Sequence, residues 1–155
     1  MNARRPPYRK SLAGTLLAAR EAVMAPIRPF LREAGLTEQQ WRVLRVLVDE
    51  GGCDASGLAK AGLLYAPTVT RILKELADRG LLVKQAHETD GRRWMVAATP
   101  AGRKVVEDTA KHTSALLAEF SERFGPERLR ALQDELAVFA SAISALGVSE
   151  SEFTE

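Results

Sequence analysis

Glycines and prolines divide residues 35–100 into short segments, and this division constrains the fold more than any other feature. Glycine favours the end of a helix and proline favours its first turn. The sequence Leu36 to Trp41 marks a helix start, because Thr37 can cap the amide of Gln40 while the Gln40 side chain reaches back, and Leu36 can pack on Trp41. The pattern predicts that this helix runs to about Glu50 and ends at Gly51-Gly52. A short helix is then predicted from the Asp54 cap to Ala61, where Gly62 breaks it. A third is predicted from Pro67 to Arg79 and stops at Gly80.

Two β-prone runs follow these helices, at residues 81–87 and 93–98. The turn between them contains Asp90-Gly91, a dipeptide that favours tight hairpins, so a two-stranded hairpin is predicted. Helices followed by such a hairpin have the order of a winged helix-turn-helix, in which the helix before the hairpin reads DNA.

A long amphipathic segment precedes this region, over residues 11–31, and Pro26 and Pro29 predict a kink or an early end near Ala25. Its apolar stripe consists of Leu12, Leu16, Ala19, Val23, Ile27 and Phe30.

Two further helices are predicted after the hairpin. Thr99-Pro100 starts one that runs to about Phe124, and Gly125-Pro126 separates it from the last. The last helix has apolar residues at alternating steps of three and four, as a helix–helix seam requires, and the partner helix can belong to a second chain or to the same one. The seam comprises Leu129, Leu132, Leu136, Phe139, Ile143 and Leu146, and residues 149–155 are predicted to fray.

The predicted fold class is therefore mainly α with a small β-hairpin wing (α+β). We expect an N-terminal dimerisation helix in residues 1–36, a winged helix-turn-helix DNA-binding domain in residues 37–99, and C-terminal dimerisation helices in residues 100–155.

The helix before the hairpin has two chemically different faces. At 100° per residue its large apolar residues fall on one side, while Thr70, Arg71 and Lys74 fall on the other. Arginine can bind guanine O6 and N7 as a fork, and lysine and threonine can bind bases or phosphates. An ordinary solvated helix and a solubilising charged turn are the alternatives. The predicted DNA contacts are Pro67, Thr68, Thr70, Arg71 and Lys74 on the helix and Asp90, Arg92 and Arg93 at the hairpin tip, with Arg92 favoured for the minor groove.

Composition supports a DNA-facing protein and argues against an enzyme. The net charge of +2 conceals a basic N-terminal region and an acidic C-terminal one. A single cysteine, Cys53, permits no intrachain disulfide and favours a cytoplasmic location. Cys53 and the two histidines lie in unrelated contexts, so no catalytic residue, metal site or cofactor is expected. A redox-controlled or ligand-independent DNA-binding regulator and a helical interaction protein that does not bind DNA remain alternatives.

Three stretches resemble the MarR family of bacterial repressors. They are Gly35 to Leu47, the helix from Pro67, and Asp90-Gly91-Arg92-Arg93 followed by residues 98–102, and the similarity spans about residues 10–146. Residues 19–24, 37–46 and 122–125 look most like repressors of homoprotocatechuate (4-hydroxyphenylacetate) catabolism. The family usually has Leu-Thr where this chain has Ala98-Thr99, which changes packing and leaves the DNA contacts unaffected.

No run of apolar residues approaches the roughly 18 that a membrane span needs, so no membrane association is expected. The resemblance implies a homodimer that binds palindromic double-stranded DNA. It also implies repression of an aromatic-acid catabolic operon and release by a small phenolic or aromatic carboxylate. Such a ligand needs an apolar slot and a cation, which Arg20, Trp41 and Arg45 could provide, although a core role for Trp41 and ion pairing of both arginines are alternatives. Ser11 and His112 are further candidates for binding this effector.

Overall fold

The computed structural model describes residues 7–87 and 94–145, and these divide into two compact units between Ser114 and Ala115. After a 3-10 turn at Tyr8–Lys10 the helices and strands follow in the order α1 (Leu12–Met24), α2 (Arg28–Glu33), α3 (Glu38–Asp49), α4 (Ala55–Gly62), α5 (Ala66–Asp78), β1 (Leu82–Ala86), β2 (Trp94–Ala98), α6 (Pro100–Phe124) and α7 (Pro126–Ser144). Within the described ranges, no helix has both the length and the apolar character needed to cross a lipid bilayer.

The segment predicted as one interrupted helix forms two helices. α1 ends at Met24, with Ala25 as its C-cap, and α2 carries Pro29 in its first turn, so the prediction of an early end near Ala25 is confirmed. Proline cannot donate the backbone hydrogen bond that a continuing helix requires, which is why two helices replace one. Of the predicted stripe, Ile27 is buried, whereas Leu12 is exposed in the single chain.

The helix start at Thr37 has the predicted capping box. The Thr37 hydroxyl accepts the Gln40 amide at 3.1 Å, and the Gln40 side-chain oxygen accepts the Thr37 amide at 3.0 Å. These two bonds satisfy donors that a helix N-terminus leaves open. The core beneath α3 is a single apolar cluster that includes Val43, Leu44, Leu47, Leu58, Val69, Ile72 and Leu76, with Trp41 and Val48 half-buried against it.

The end of α4 corrects the sequence prediction. Gly62 does not break the helix but is its last residue, and Leu63 adopts the left-handed conformation with a φ of 50°. The helix closes when the Leu64 amide donates to the Ala59 carbonyl at 2.9 Å, which requires a left-handed residue at position 63. The Leu63 side chain is 85% exposed, so it obtains no burial in return for this conformation.

The hairpin is antiparallel, and one residue of the α3–α4 loop, Cys53, pairs with the free edge of β2. The hairpin register runs from Leu82 opposite Ala98 to Ala86 opposite Trp94, so β1 is one residue shorter at each end than the predicted run 81–87. Arg93, the predicted start of the second run, lies outside the described residues. Cys53 pairs with Val96 through two main-chain hydrogen bonds of 3.1 and 2.8 Å, which ties the α3–α4 loop to β2.

The junction between the hairpin and α6 is closely packed. Thr99 caps α6 by accepting the Gly102 amide at 3.1 Å, and its hydroxyl donates to the Gly80 carbonyl at 2.7 Å. Gly102 is buried, and a Cβ atom there would lie 2.0 Å from the Leu81 carbonyl oxygen. Only a residue without a side chain allows α6 to start this close to β1.

In the second unit, α7 has no buried residue among its described positions. Its apolar seam remains exposed in the single chain at Leu132, Leu136, Phe139 and Ile143, and Leu146 lies outside the described residues.

Candidate nucleic-acid interface and effector site

α5 has the two faces that the sequence predicts. Its apolar side packs into the core through Val69, Ile72, Leu73 and Leu76. The opposite side is solvent-facing, with Pro67, Thr70, Arg71 and Lys74 exposed and Thr68 half-buried. The structure thus brings the helical part of the predicted DNA contacts onto one surface, while Asp90, Arg92 and Arg93 lie outside the described residues.

Both cations of this surface pair with acids one turn later. Arg71 Nη1 is 2.7 Å from Glu75 Oε1, and Lys74 Nζ is 3.0 Å from Asp78 Oδ2. Exposed pairs of this kind contribute little to folding stability, and each cation keeps further N–H donors beyond the ion pair that can bind phosphate or base atoms.

A hydrogen bond between Gln40 of α3 and Glu75 of α5 lies next to this surface. The sequence did not predict this contact. The buried Gln40 side chain donates from Nε2 to Glu75 Oε2 at 2.9 Å. Hydrogen bonds from Gln40 and then Arg71 lower the pKa of the Glu75 carboxyl. The spacing of Arg71 and Glu75 is readable as a helical pair. The bond to Gln40 joins residues 35 positions apart and has no signal in a single sequence.

Arg20, one of the predicted effector residues, lies in a ring of ion pairs. It contacts Glu21 at 3.0 Å and also Glu38. Arg28, which the sequence analysis did not select, contacts Glu38 and lies 2.7 Å from Glu21. The hydrogen bond from Arg28 is the main cause that lowers the pKa of Glu38, and the same bond raises the pKa of Arg28. The positive charge of Arg20 is therefore already matched by carboxylates.

Trp41 and Arg45 lie together on α3. The Arg45 guanidinium carbon is 5.7 Å from the centre of the indole ring, and its Nη2 is 2.9 Å from Asp49 Oδ2. The indole Nε1 is buried and has no hydrogen-bond acceptor among the described residues. A buried indole N–H normally has a partner, so this donor is a candidate for contact with a bound acceptor.

The other two predicted effector residues have different surroundings. Ser11 caps α1 by accepting the Gly14 amide at 3.1 Å. The His112 ring stacks on Phe30, with ring centres 4.7 Å apart and an angle of 5° between the rings.

His112 and Phe30 line a pocket of about 240 Å³ together with Glu33, Ala34, Val105, Asp108 and Thr109. Hydrogen bonds from Lys104 and then Lys111 lower the pKa of Asp108 to about 2, so this carboxyl is ionised at neutral pH. The acidic lining does not suit an anionic ligand. His112 is the only one of the five predicted effector residues in this lining, as far as the described residues show.

Cys53 lies half-buried beside two acids. Burial, followed by the nearby charges of Glu50 and Asp54, raises the pKa of its thiol. Because the thiolate is the reactive form, these surroundings do not favour redox sensing.

Comparison with known proteins agrees with this geometry. A sequence model described as the MarR family matches residues 34–93. The HTH-type transcriptional regulator FarR of Neisseria gonorrhoeae is 35% identical over 131 residues, which cover 84% of this chain and 90% of FarR. The homoprotocatechuate degradative operon repressor of Escherichia coli is 30% identical over 142 residues, which cover 92% of this chain and 93% of the repressor.

Solved structures give the same result. The crystal structure of NadR in complex with 4-hydroxyphenylacetate is 32% identical, covers 90% of this chain and 96% of the NadR chain, and has a TM-score of 0.79. Ligand-free NadR is 33% identical, with a TM-score of 0.81. On the strength of the relatives that match nearly its whole length and of its α5 and hairpin geometry, this chain belongs to the MarR family of transcriptional regulators.

Proposed function

We propose that this regulator is a dimeric repressor that binds palindromic DNA and is released by a small aromatic carboxylate. The exposed Thr70, Arg71 and Lys74 on α5, opposite a fully packed apolar face, are the observation that carries the DNA-binding part. Such a surface fits a major groove, with Asp90, Arg92 and Arg93 proposed to extend it along the hairpin. The relative that represses the homoprotocatechuate degradative operon supports an aromatic-acid operon as the target.

The proposed dimer uses residues 1–36 and 100–155 of both chains. The support is apolar side chains that one chain leaves exposed, notably Leu132, Leu136 and Ile143 on α7 and Leu12 on α1. Leu132, Leu136, Phe139 and Ile143 lie three or four residues apart along α7 and so form one exposed apolar stripe, which normally marks an association site. Two subunits related by a two-fold axis would present two α5 helices, which matches a palindromic site.

The proposed effector site centres on Trp41 and Arg45. The buried indole N–H, which has no acceptor in the described part of the chain, can donate to a ligand oxygen, and the Arg45 guanidinium can pair with a carboxylate in place of Asp49. That NadR binds 4-hydroxyphenylacetate supports this ligand class. The energetic demand is modest, because a tenfold loss of DNA affinity needs only about 1.4 kcal/mol of differential binding.

DNA binding is tested by selecting a duplex from a random pool and measuring its affinity by fluorescence anisotropy at one moderate salt concentration. Arg71→Ala is expected to weaken binding by about 1–3 kcal/mol, the usual worth of a base-reading arginine. Arg123→Ala is the control, because Arg123 is also an exposed arginine that pairs with an acid one turn away on its own helix, in this case the preceding Glu119 of α6. Failure to enrich any sequence, or equal losses in both variants, would contradict the proposal.

Effector binding is tested by titrating 4-hydroxyphenylacetate, homoprotocatechuate and salicylate against the protein–DNA complex. Trp41→Phe keeps an aromatic ring but removes the N–H, so it should raise the concentration needed for release. Trp94→Phe is the control, since Trp94 is the other tryptophan and is exposed on β2. No release by any of the three at millimolar concentration argues against the ligand class, and unchanged release in Trp41→Phe argues against the site.

A further inference from the structure

Gln40 makes two side-chain hydrogen bonds, and only one of them belongs to the capping box. Its Oε1 accepts the Thr37 amide at 3.0 Å, while its Nε2 donates to Glu75 at 2.9 Å. Gln40 is 9% exposed and the Glu75 side chain is 38% exposed, so the second bond runs from a buried amide to a half-exposed carboxylate. One buried amide therefore joins the start of α3 to the middle of α5.

Glu75 uses its two oxygens for two different partners. Oε2 accepts from Gln40, and Oε1 accepts from Arg71 Nη1 at 2.7 Å. The neighbouring pair, Lys74 and Asp78, has the same helical spacing, but Asp78 has no second hydrogen-bond partner in residues 7–87 and 94–145. Glu75 is thus held by a residue of α3 as well as by Arg71, whereas Asp78 contacts only Lys74 of its own helix in the described ranges.

This anchoring matters for the energetics of binding. An arginine on an exposed helix face loses side-chain entropy when it is fixed against a base, and prior ordering reduces that cost. With Nη1 bound to Glu75, the Nε and Nη2 donors of Arg71 remain available, and a guanidinium needs only two donors to bind guanine as a fork.

We propose that Glu75, held by Gln40, is a positioning residue that fixes the Arg71 guanidinium and so contributes to sequence discrimination. The inference rests on the proposed function, in which Arg71 contacts DNA. The negative charge of Glu75 also opposes phosphate binding by a mobile arginine, so its removal should weaken binding to the selected sequence while leaving unselected DNA bound equally well or more tightly.

Two variants break the link at different points. Glu75→Gln replaces one of the two carboxylate oxygens by an NH2 group, so only one of the two positions that now accept from Gln40 and from Arg71 still carries an acceptor. Gln40→Glu keeps an acceptor for the Thr37 amide, as a capping box allows, but places a carboxylate against Glu75. Asp78→Asn is the matched control, because it removes the same charge from the unanchored pair.

The experiment measures the dissociation constants for the selected duplex and for a scrambled duplex of equal length and composition. Each of the three variants is made alone and in the Arg71→Ala background, and urea unfolding checks that each remains folded. We expect the dissociation constant for the scrambled duplex, divided by that for the selected duplex, to fall by roughly tenfold in Glu75→Gln and Gln40→Glu and by much less in Asp78→Asn. In the Arg71→Ala background this ratio should not fall further.

Three results would overturn the inference. An unchanged ratio in Glu75→Gln, with Arg71→Ala still impaired, refutes positioning and leaves the proposed function intact, as does an equal loss in both backgrounds. If Arg71→Ala itself binds the selected duplex like the unmodified protein, the assignment of Arg71 to DNA fails and the inference fails with it.

Discussion

Replacing Gly102 by alanine should destabilise this protein, although alanine is the better helix former. A Cβ at position 102 would lie 2.0 Å from the Leu81 carbonyl oxygen, whereas real Cβ contacts are essentially never shorter than 3.0 Å. The start of α6 and the start of the hairpin must therefore separate by about 1 Å. The obstructing atom belongs to the backbone, so no side-chain rotation can relieve the contact. The same carbonyl accepts the Thr99 amide at 3.1 Å, and the separation strains that bond.

The magnitude follows from three opposing contributions. Overpacking costs about 1–3 kcal/mol, with a backbone obstacle at the upper end. A weakened hydrogen bond adds about 1 kcal/mol. The helical preference for alanine over glycine returns about 1 kcal/mol. The free energy of unfolding of Gly102→Ala should therefore fall by about 2–3 kcal/mol.

Gly62→Ala is the matched control, because Gly62 is also a buried helical glycine. Its Cβ would first meet Leu64 Cδ1 at 3.4 Å, an ordinary van der Waals distance. This variant should be stabilised by about 0.4–1 kcal/mol. Urea unfolding at one protein concentration measures both changes, since association makes stability concentration-dependent. A Gly102→Ala protein as stable as the unmodified one would refute the reasoning.

Three further predictions concern other parts of the chain. Asp108 should titrate near pH 2 in an NMR pH series, and Lys104→Gln should move its pKa back toward 3.8. Because the folded-state pKa is lowered, this carboxylate stabilises the fold above its unfolded pKa, and that contribution is lost as the pH falls toward 2. Thr37→Ala should lower the free energy of unfolding by about 1 kcal/mol in urea titrations, through loss of the hydrogen bond to the Gln40 amide. Leu136→Asp should give monomers in sedimentation and lose DNA affinity, and a variant that still dimerises would contradict the proposed use of α7.

Local rules account for the features that the sequence predicted correctly. The capping box at Thr37 and Gln40 depends only on residues three positions apart, and both of its bonds are present. The two faces of α5 follow from 100° per residue and a strongly apolar side. The end of α1 at Met24 follows from Pro26 and its missing amide.

Features that depend on distant residues could not be predicted in this way. Glu38, the partner of Arg20 in α3, is 18 positions away from it in the sequence. The capping box already explains a glutamine at position 40, so the sequence offers no reason to expect its second bond to Glu75. The left-handed conformation of Leu63 could not be predicted for a different reason. Glycine usually adopts this conformation at a helix end, and Gly62 directly precedes Leu63.

The pairing of Cys53 with Val96 has a mechanical consequence for this molecule. Both hydrogen bonds are made by main-chain atoms, so they join β2 to the loop that begins α4 regardless of the side chain at position 53. A displacement of β2 is therefore transmitted to Asp54, the residue that caps α4. The base of the hairpin and the start of α4 should move together. Replacing the thiol leaves both bonds in place, whereas a proline at position 53, which lacks the N–H, removes the 3.1 Å bond and leaves only the bond that the carbonyl of residue 53 accepts.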